Sequence, residues 1–424
     1  MSANGETTRR DFLRTTGVIG AALVAGPAFG RVLGANERIH FGVIGTGRRG
    51  TSLLRDLVDR SRGKADVRVL AVCDVYEPRK ERSKDICGGD LYHDYRDLLA
   101  REDLDAVIIA APDHWHAQMT IDALNAGMHV YCEKPMTHTW EQAKEVAEMA
   151  GETGLVMQVG TQHTSEGQYW TARGLIFEGL LGKIAWVQAG CNRSSMGGER
   201  SYRIEQNASP DNLDWERWLG PAPEREFSKE RYFHWRDYWD YSGGIATDRF
   251  YDKLAALMIA LGPQFPIRVS AGGGICVRKD REVPDTFFMT IDYPGEYSVA
   301  LSSSMANRRD VPDMIRGHEA AMYLHGDKVE VRPEKEFARK LERQHGTEVL
   351  RVPSKEVSGP VSNFINAVRG QEKCHCDAFF GYRAMTAIAL GVASFKKNRM
   401  MHFDPAEQKE ICKPVDAARR LNSV

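Results

Sequence analysis

Two short stretches carry the residues that could do chemistry. Gly45-Thr46-Gly47-Arg48-Arg49-Gly50 has the G-x-G-x-x-G spacing of a dinucleotide-binding turn. Glu133-Lys134-Pro135 puts a lysine in a tight turn some eighty residues later. The glycines of the first stretch divide the work among them. Gly45 permits the turn, Gly47 lets backbone approach a pyrophosphate, and Gly50 lets helix and strand pack closely. Thr46, Arg48 and Arg49 complete the loop, and the N–H groups at the following helix start would face the phosphates. Asp74 lies 24 residues beyond Gly50. Its carboxylate would accept from the ribose hydroxyls and repel a 2′-phosphate, which favours NAD over NADP. Lys134 would stand at the reactive end of the dinucleotide, where an ammonium can polarise a carbonyl or assist loss of a hydroxyl proton.

The elements that must position these groups are legible around them. His40 to Ile44 is an apolar, β-branched run suited to a buried parallel strand, and Thr51 to Asp59 reads as a helix. Strands are expected at Val67 to Cys73, Ala106 to Pro112, His129 to Cys132 and Leu155 to Val159. Helices from His116 to Gly127 and from Thr139 to Thr153 alternate with them. Residues 37–165 therefore form an α/β Rossmann domain, a doubly wound parallel sheet. Ligands in such sheets sit beyond the carboxyl ends of the strands. Pro112, His116, Glu133 and Lys134 are placed there and should face the cofactor.

From residue 166 to 424 the pattern changes to strands linked by hairpin spacing: Ile184 to Cys191, Arg268 to Val277, Thr286 to Tyr293, Ser298 to Met305 and Ala320 to Leu324. Two helices, Val361 to Arg369 and Gly381 to Lys397, follow them. This is an α+β domain on a largely antiparallel open sheet. The stretch from Asn192 to Tyr241 holds four of the eight tryptophans, among them Trp239, interleaved with Arg236 and other charged residues. Aromatic faces with arginines and aspartates suit a sugar pocket; Trp215 and Trp218 equally suit anchors for a long loop. His163, after the last Rossmann strand, could reach substrate or be a buried, satisfied histidine.

The N-terminus is read apart. Arg9-Arg10, a short apolar run from Gly17 to Val24 and small residues through Gly30 have the layout of a twin-arginine signal peptide over residues 1–30. The expected partner is the twin-arginine export machinery, and the location periplasmic or otherwise exported. The run is too short for a stable membrane anchor. Across 424 residues the net charge is −1, which gives no electrostatic case for nucleic acid. Eight cysteines make no disulfide framework in a chain this long, and Cys374-His375-Cys376 lacks a matching second pair, so no metal site is expected.

Taken in order, the Gly45–Gly50 loop, Asp74, Glu133-Lys134-Pro135 and Gly243-Gly244-Ile245-Ala246-Thr247-Asp248 resemble the glucose-fructose oxidoreductase / inositol dehydrogenase / rhizopine-catabolism (Gfo/Idh/MocA) family. The resemblance runs from residue 37 nearly to the end. It implies NAD(P)-dependent hydride transfer on a sugar, cyclitol or sugar derivative, and a homodimer or homotetramer joined through the second sheet. In many members the second motif reads Asp-x-x-x-His with a further Asp three residues on; here those positions are Asp248, Asp252 and Ala255. Asp248 and Asp252 are one helical turn apart and share a face. Asp248 would accept substrate hydroxyls or merely cap its helix, and Tyr251, Lys134 and Asp252 are the candidates for proton transfer. An exported oxidoreductase would retain its nucleotide. The alternatives are an NAD-dependent glycosidase or lyase working by transient oxidation and elimination, and a non-catalytic binding protein.

Overall fold

A computed structural model describes residues 38–192 and 203–412. The twin-arginine segment lies outside the described residues. Six strands, β1 (Ile39–Ile44), β2 (Val67–Cys73), β3 (Asp90–Tyr92), β4 (Ala106–Ile109), β5 (His129–Glu133) and β6 (Met157–Gly160), form one sheet. Their order is β3-β2-β1-β4-β5-β6, and every pairing is parallel. β4 and β6 are buried along their whole length, as expected for a sheet covered on both faces. The order reverses between β1 and β4, so a crevice opens beyond their carboxyl ends.

The helix after β1 runs from Arg48 to Gly63, longer than its apolar pattern indicates, because Gly47 itself is the N-cap. Trp140–Thr153 starts on a capping box: Thr139 accepts from the Gln142 N–H, and the Gln142 side chain accepts from the Thr139 N–H.

The second sheet has ten strands: β7 (Ile184–Gly190), β8 (Arg268–Gly274), β9 (Thr286–Asp292), β10 (Ser298–Ser304), β11 (Met314–Gly317), β12 (Ala320–His325), β13 (Lys328–Pro333), β14 (Leu350–Pro353), β15 (Met401–Asp404) and β16 (Lys409–Ile411). Their order is β14-β13-β12-β11-β7-β10-β9-β8-β15-β16. Among the described residues of this sheet, only the β7–β10 pairing is parallel. β10 alternates buried and half-buried residues along its length, so one face packs on helices and the other is open. The helices Gly167–Phe177, against β12, β13 and β14, and Ala378–Lys397, against β8, β9 and β15, pack on the covered face.

The division between the two units is less clean than the sequence pattern implies. Pro360–Val368 returns to the first sheet, where Phe364 packs on Phe41 and Tyr131 with no exposure. Residues 203–241 fold back over the nucleotide domain. The Glu77 N–H donates to the Asn212 carbonyl at 2.9 Å and the Asp214 N–H to the Val75 carbonyl at 3.0 Å. A separate small core of Tyr76, Leu213, Trp218, Tyr232, Phe233 and Tyr241 fixes this excursion in place.

Candidate active site

The glycine loop has the geometry its sequence requires. Gly45 sits at φ +82°, a conformation few side chains tolerate. A Cβ on Gly50 would lie 1.8 Å from the Gly45 carbonyl oxygen, so only glycine lets the helix start this close to the turn. Asp74 is buried against the loop. Its Oδ2 accepts from the Thr46 N–H at 2.7 Å and the Thr46 hydroxyl at 3.1 Å, while Oδ1 accepts from the Tyr76 N–H at 2.9 Å. The carboxylate thus shapes the turn as well as standing at its rim.

A cleft of about 730 Å³ opens there, bounded by Gly45, Gly47, Asp74 and Pro112 on one side and by Trp218, Tyr232 and Trp235 of the excursion on the other. The residues fit a nicotinamide dinucleotide. The backbone at Gly47 is bare toward the cleft, and the helix start has neither a side-chain cap nor an acidic residue in its first turn. Trp218 is both cleft wall and anchor, stacked on Trp215 at 4.8 Å.

At the end of β5 a second cluster assembles. Lys134, its side chain 9 % exposed, donates to the Asp248 carbonyl and to Asp248 Oδ1 at 3.0 Å, and lies 3.5 Å from Asp252 Oδ2. Arg236 Nε donates to the same Asp248 Oδ1 at 3.0 Å. The Thr161 hydroxyl donates to Asp252 Oδ1 at 2.6 Å. Asp248 does not cap a helix. It lies inside a π-helical turn, Ala246–Phe250, in which the Tyr251 N–H reaches back to the Ala246 carbonyl. Such turns recur at functional sites because they displace side chains from the regular helical register. Glu133 faces the other way, paired with Arg49 at 2.7 Å; burial pushes its carboxyl up and Arg49 opposes this. The glycine loop and the Lys134 turn are thereby tied together.

Several expected residues are placed elsewhere. Tyr251 is fully buried and its hydroxyl donates to the Gly381 carbonyl at 3.2 Å, beyond reach of a substrate, so it does not stand in as a proton carrier. His116 is 1 % exposed. Its ring bridges the Pro135 carbonyl at 2.6 Å and the Ala111 carbonyl at 2.9 Å, holding the ends of β4 and β5 rather than facing the cleft. Trp239 turns toward Phe395 and Lys396 of the long helix Ala378–Lys397. His163 is at the surface of the turn after β6 and pairs with Glu166 at 3.6 Å. Arg48 is exposed beside Gly47. Cys374-His375-Cys376 lies in the connection between two helices, with His375 bonded to Ser165.

Sequence reasoning did not single out Arg79, whose guanidinium lies over the rings of Tyr76, Tyr232 and Phe233 at the mouth of the cleft. It also passed over Thr161 as the partner of Asp252; a threonine just past a strand end, where ligands bind, was the available signal.

Comparison with known proteins agrees with this arrangement. Residues 39–161 match the model of an oxidoreductase family with an NAD-binding Rossmann fold, and residues 188–280 match the C-terminal alpha/beta domain of the same family. Inositol 2-dehydrogenase of Salmonella typhimurium is 33 % identical over 149 residues, 34 % of this chain and 44 % of that protein. A glycosyl hydrolase family 109 protein of Stenotrophomonas maltophilia is 30 % identical over 196 residues, 43 % of this chain and 41 % of that one. The chain spans about half or less of the length of the curated relatives it matches. The WlbA dehydrogenase of Bordetella pertussis, solved with NADH and UDP-GlcNAcA, superposes with a TM-score of 0.64 at 17 % identity, covering 87 % of this chain and 99 % of that one, a likeness of fold. The two family models together match a little over half of the sequence, in the order of its two sheets, and the chain belongs to the Gfo/Idh/MocA oxidoreductase family.

Proposed function

We propose that this protein is an exported NAD-dependent oxidoreductase acting on a hydroxyl–carbonyl pair of a sugar, cyclitol or sugar derivative. The observation that carries the reading is Lys134, held between Asp248 and Asp252 at the end of β5, beside a cleft shaped for a dinucleotide. When bound, the nicotinamide accepts or returns a hydride. The chain's own residues do the rest. Lys134 Nζ hydrogen-bonds the reacting oxygen and stabilises negative charge as the C–O bond changes order. Asp248, fixed by Arg236, accepts a neighbouring hydroxyl and orients the ring. Thr161 occupies one oxygen of Asp252 and leaves Oδ2 to take the hydroxyl proton, a transfer that general bases speed by about 10²–10⁴-fold.

Arg9-Arg10 and the apolar run behind them support export by the twin-arginine route, with the nucleotide acquired beforehand and retained. The open face of the ten-stranded sheet exposes Trp186 and Phe288, at 40 % and 52 %, which supports a homodimer or homotetramer formed there.

The family 109 relative favours a second reading, redox-neutral glycoside cleavage, in which oxidation acidifies a neighbouring carbon, elimination follows and the hydride returns. Turnover of the purified chain on a panel of sugars, cyclitols and glycosides separates the readings. Net NADH formation supports the dehydrogenase, and sugar release without net NADH the glycosidase. Lys134→Ala should abolish either activity while keeping NAD affinity within about 3-fold. Retained turnover in that variant would remove Lys134 from the chemistry, and no turnover by the wild type would leave a binding protein.

A further inference from the structure

The connection between β8 and β9, residues 275–285, carries no motif residue, yet it closes on the segment that presents Arg236 and Asp248. One acid fixes its shape. Asp285 has no exposure; its Oδ1 accepts from the Cys276 N–H at 2.9 Å, and its Oδ2 from the Val277 and Arg278 N–H groups at 2.7 Å each. Burial alone would raise this carboxyl; the three N–H groups outweigh it and hold it below the usual carboxylate range.

The loop meets the segment Trp235 to Asp248 at two points. At the first, Arg281, its side chain 3 % exposed, is held on three sides. Nε donates to the Val283 carbonyl at 2.8 Å, Nη1 reaches Met305 Sδ at 2.9 Å, and Nη2 lies 3.0 Å from Asp237 Oδ1. Backbone reinforces the contact: the Asp237 carbonyl accepts from the Glu282 N–H at 2.8 Å, and Glu282 Oε2 accepts from the Trp239 N–H at 3.2 Å. At the second point Gly244, at φ +60°, packs on Val283, whose side-chain carbons would lie 2.8 Å from a Cβ there. The Gly244 carbonyl in turn accepts from the Asp248 N–H at 2.9 Å.

Asp237 is the chain neighbour of Arg236 in the three-residue 3₁₀ turn Trp235–Asp237. A turn that short fixes itself poorly, and none of its three residues is buried, so an outside anchor decides where Arg236 points. Asp248 Oδ1 is shared, at 3.0 Å each, by Arg236 and Lys134. A shift of the turn would therefore move the carboxylate that sits against the lysine.

We propose that Arg281 is a positioning residue for the reaction: by gripping Asp237 it aims Arg236 at Asp248 and so sets the carboxylate beside Lys134. The inference rests on the reading of Lys134, Asp248 and Asp252 as the reacting cluster.

Two measurements on the purified chain test it, using Arg281→Met and Asp237→Asn. Arg278→Gln is the control in the same loop, since Arg278 Nη2 is 2.8 Å from Asp280 and 3.9 Å from Asp237. The first measurement, amide hydrogen exchange read by mass spectrometry, needs no substrate. Arg281→Met and Asp237→Asn should each speed exchange in peptides spanning residues 235–248 by about 10-fold, with the glycine loop unchanged. The second is turnover on whichever sugar, cyclitol or glycoside of the panel the wild type converts. Both variants should lower kcat by about 10–100-fold while the NAD dissociation constant stays within about 3-fold, and Arg278→Gln should stay within about 2-fold on both counts. Adding Arg281→Met to Arg236→Gln should bring no further loss of kcat, because an effect that passes through Arg236 is not additive with its removal.

Faster exchange confined to residues 275–285, an equal kcat loss in Arg278→Gln, or additive losses in the double variant would each overturn the proposal and leave the loop a scaffold. Asp237→Asn keeps the shape of the side chain, so it decides the matter if Arg281→Met does not fold. A wild type without turnover is a different result. It defeats the reading of the cluster, while the exchange pattern still decides whether Arg281 holds the segment.

Discussion

Raising the pH should loosen the turn that carries Lys134, and His116 is the reason. One ring nitrogen faces the Pro135 carbonyl at 2.6 Å and the other the Ala111 carbonyl at 2.9 Å. A neutral imidazole has a single N–H, so both contacts are attractive only when the ring is an imidazolium. Burial alone would lower the pKa; the Cys132 side chain, the Asp113 carboxylate and the Pro135 carbonyl outweigh it and bring the ring to about 9. In the unfolded chain a histidine titrates near 6.5, so the native state binds this proton more tightly. The contribution is therefore fully present below about pH 6.5 and is lost as the pH rises through about 9. A gap of about 2.5 pH units corresponds to ~3.4 kcal/mol. That figure is an upper limit, because burial also pushes up Asp113, the counter-charge.

The assay compares thermal unfolding of the wild type and His116→Asn from pH 6 to 9.5 at fixed ionic strength. The wild type should be the more stable at pH 6. At ~2–4 °C per kcal/mol for domains of this size, its advantage should shrink by about 5–10 °C across that window, with turnover falling alongside. Two parallel curves would refute the reasoning and mean that the ring is neutral, with one contact made by a bare lone pair.

Other perturbations probe the remaining placements. Tyr251→Phe removes only a buried bond to the Gly381 carbonyl, so stability should fall by about 1 kcal/mol with kcat and KM within roughly 2-fold; a tenfold loss of kcat would return the tyrosine to the chemistry. Gly50→Ala drives a methyl to 1.8 Å from the Gly45 carbonyl oxygen, and NAD affinity measured by titration should drop at least ~10-fold, with strain of about 1–3 kcal/mol or more in the unfolding curve. Asp252→Asn should lower kcat by about 10²–10⁴-fold while leaving the NAD dissociation constant unchanged; unaltered turnover would show that Oδ2 takes no proton.

The cofactor half of the molecule was legible because its chemistry is local. Gly45, Gly47 and Gly50 lie within one turn, and the apolar runs that become β1 and β2 flank them, so spacing alone implies the geometry. The reacting half draws on four separated segments, at Lys134, Thr161, Arg236 and Asp248 with Asp252, and no period links them. Helical geometry could still have removed one candidate there. If Asp248 and Asp252 share a helical face, then Tyr251, about 100° around from Asp252, cannot share it. The π-helical turn changes the register before Tyr251 but does not bring it back to that face. His116 misled for a different reason. Its position just past a strand end suits a ligand, yet whether a ring there meets cofactor or carbonyl depends on where the Pro135 turn comes to lie, which is a tertiary fact.

The hollow beside the glycine loop, lined by Arg48, Arg55, Arg79, Arg82 and Arg203, shows the same limit from the other side. Arg48 and Arg55 are seven residues apart on one helix, and Arg79 and Arg82 are three apart on the next, so each pair shares a face. Scattered over a near-neutral chain, such pairs look like ordinary solvated helix surface. Their meaning comes from β1 and β2 being neighbours in the sheet, which sets the two helices side by side on one face, and from the excursion that brings Arg203 across. A cluster of charge assembled by sheet order rather than by spacing is invisible to a window scan. It would be found by asking which helix faces the right-handed crossover rule must bring together. Asp74 belongs to the legible side of that divide: it follows β2 directly, and both of its oxygens accept from the adjoining loops, at Thr46 and Tyr76.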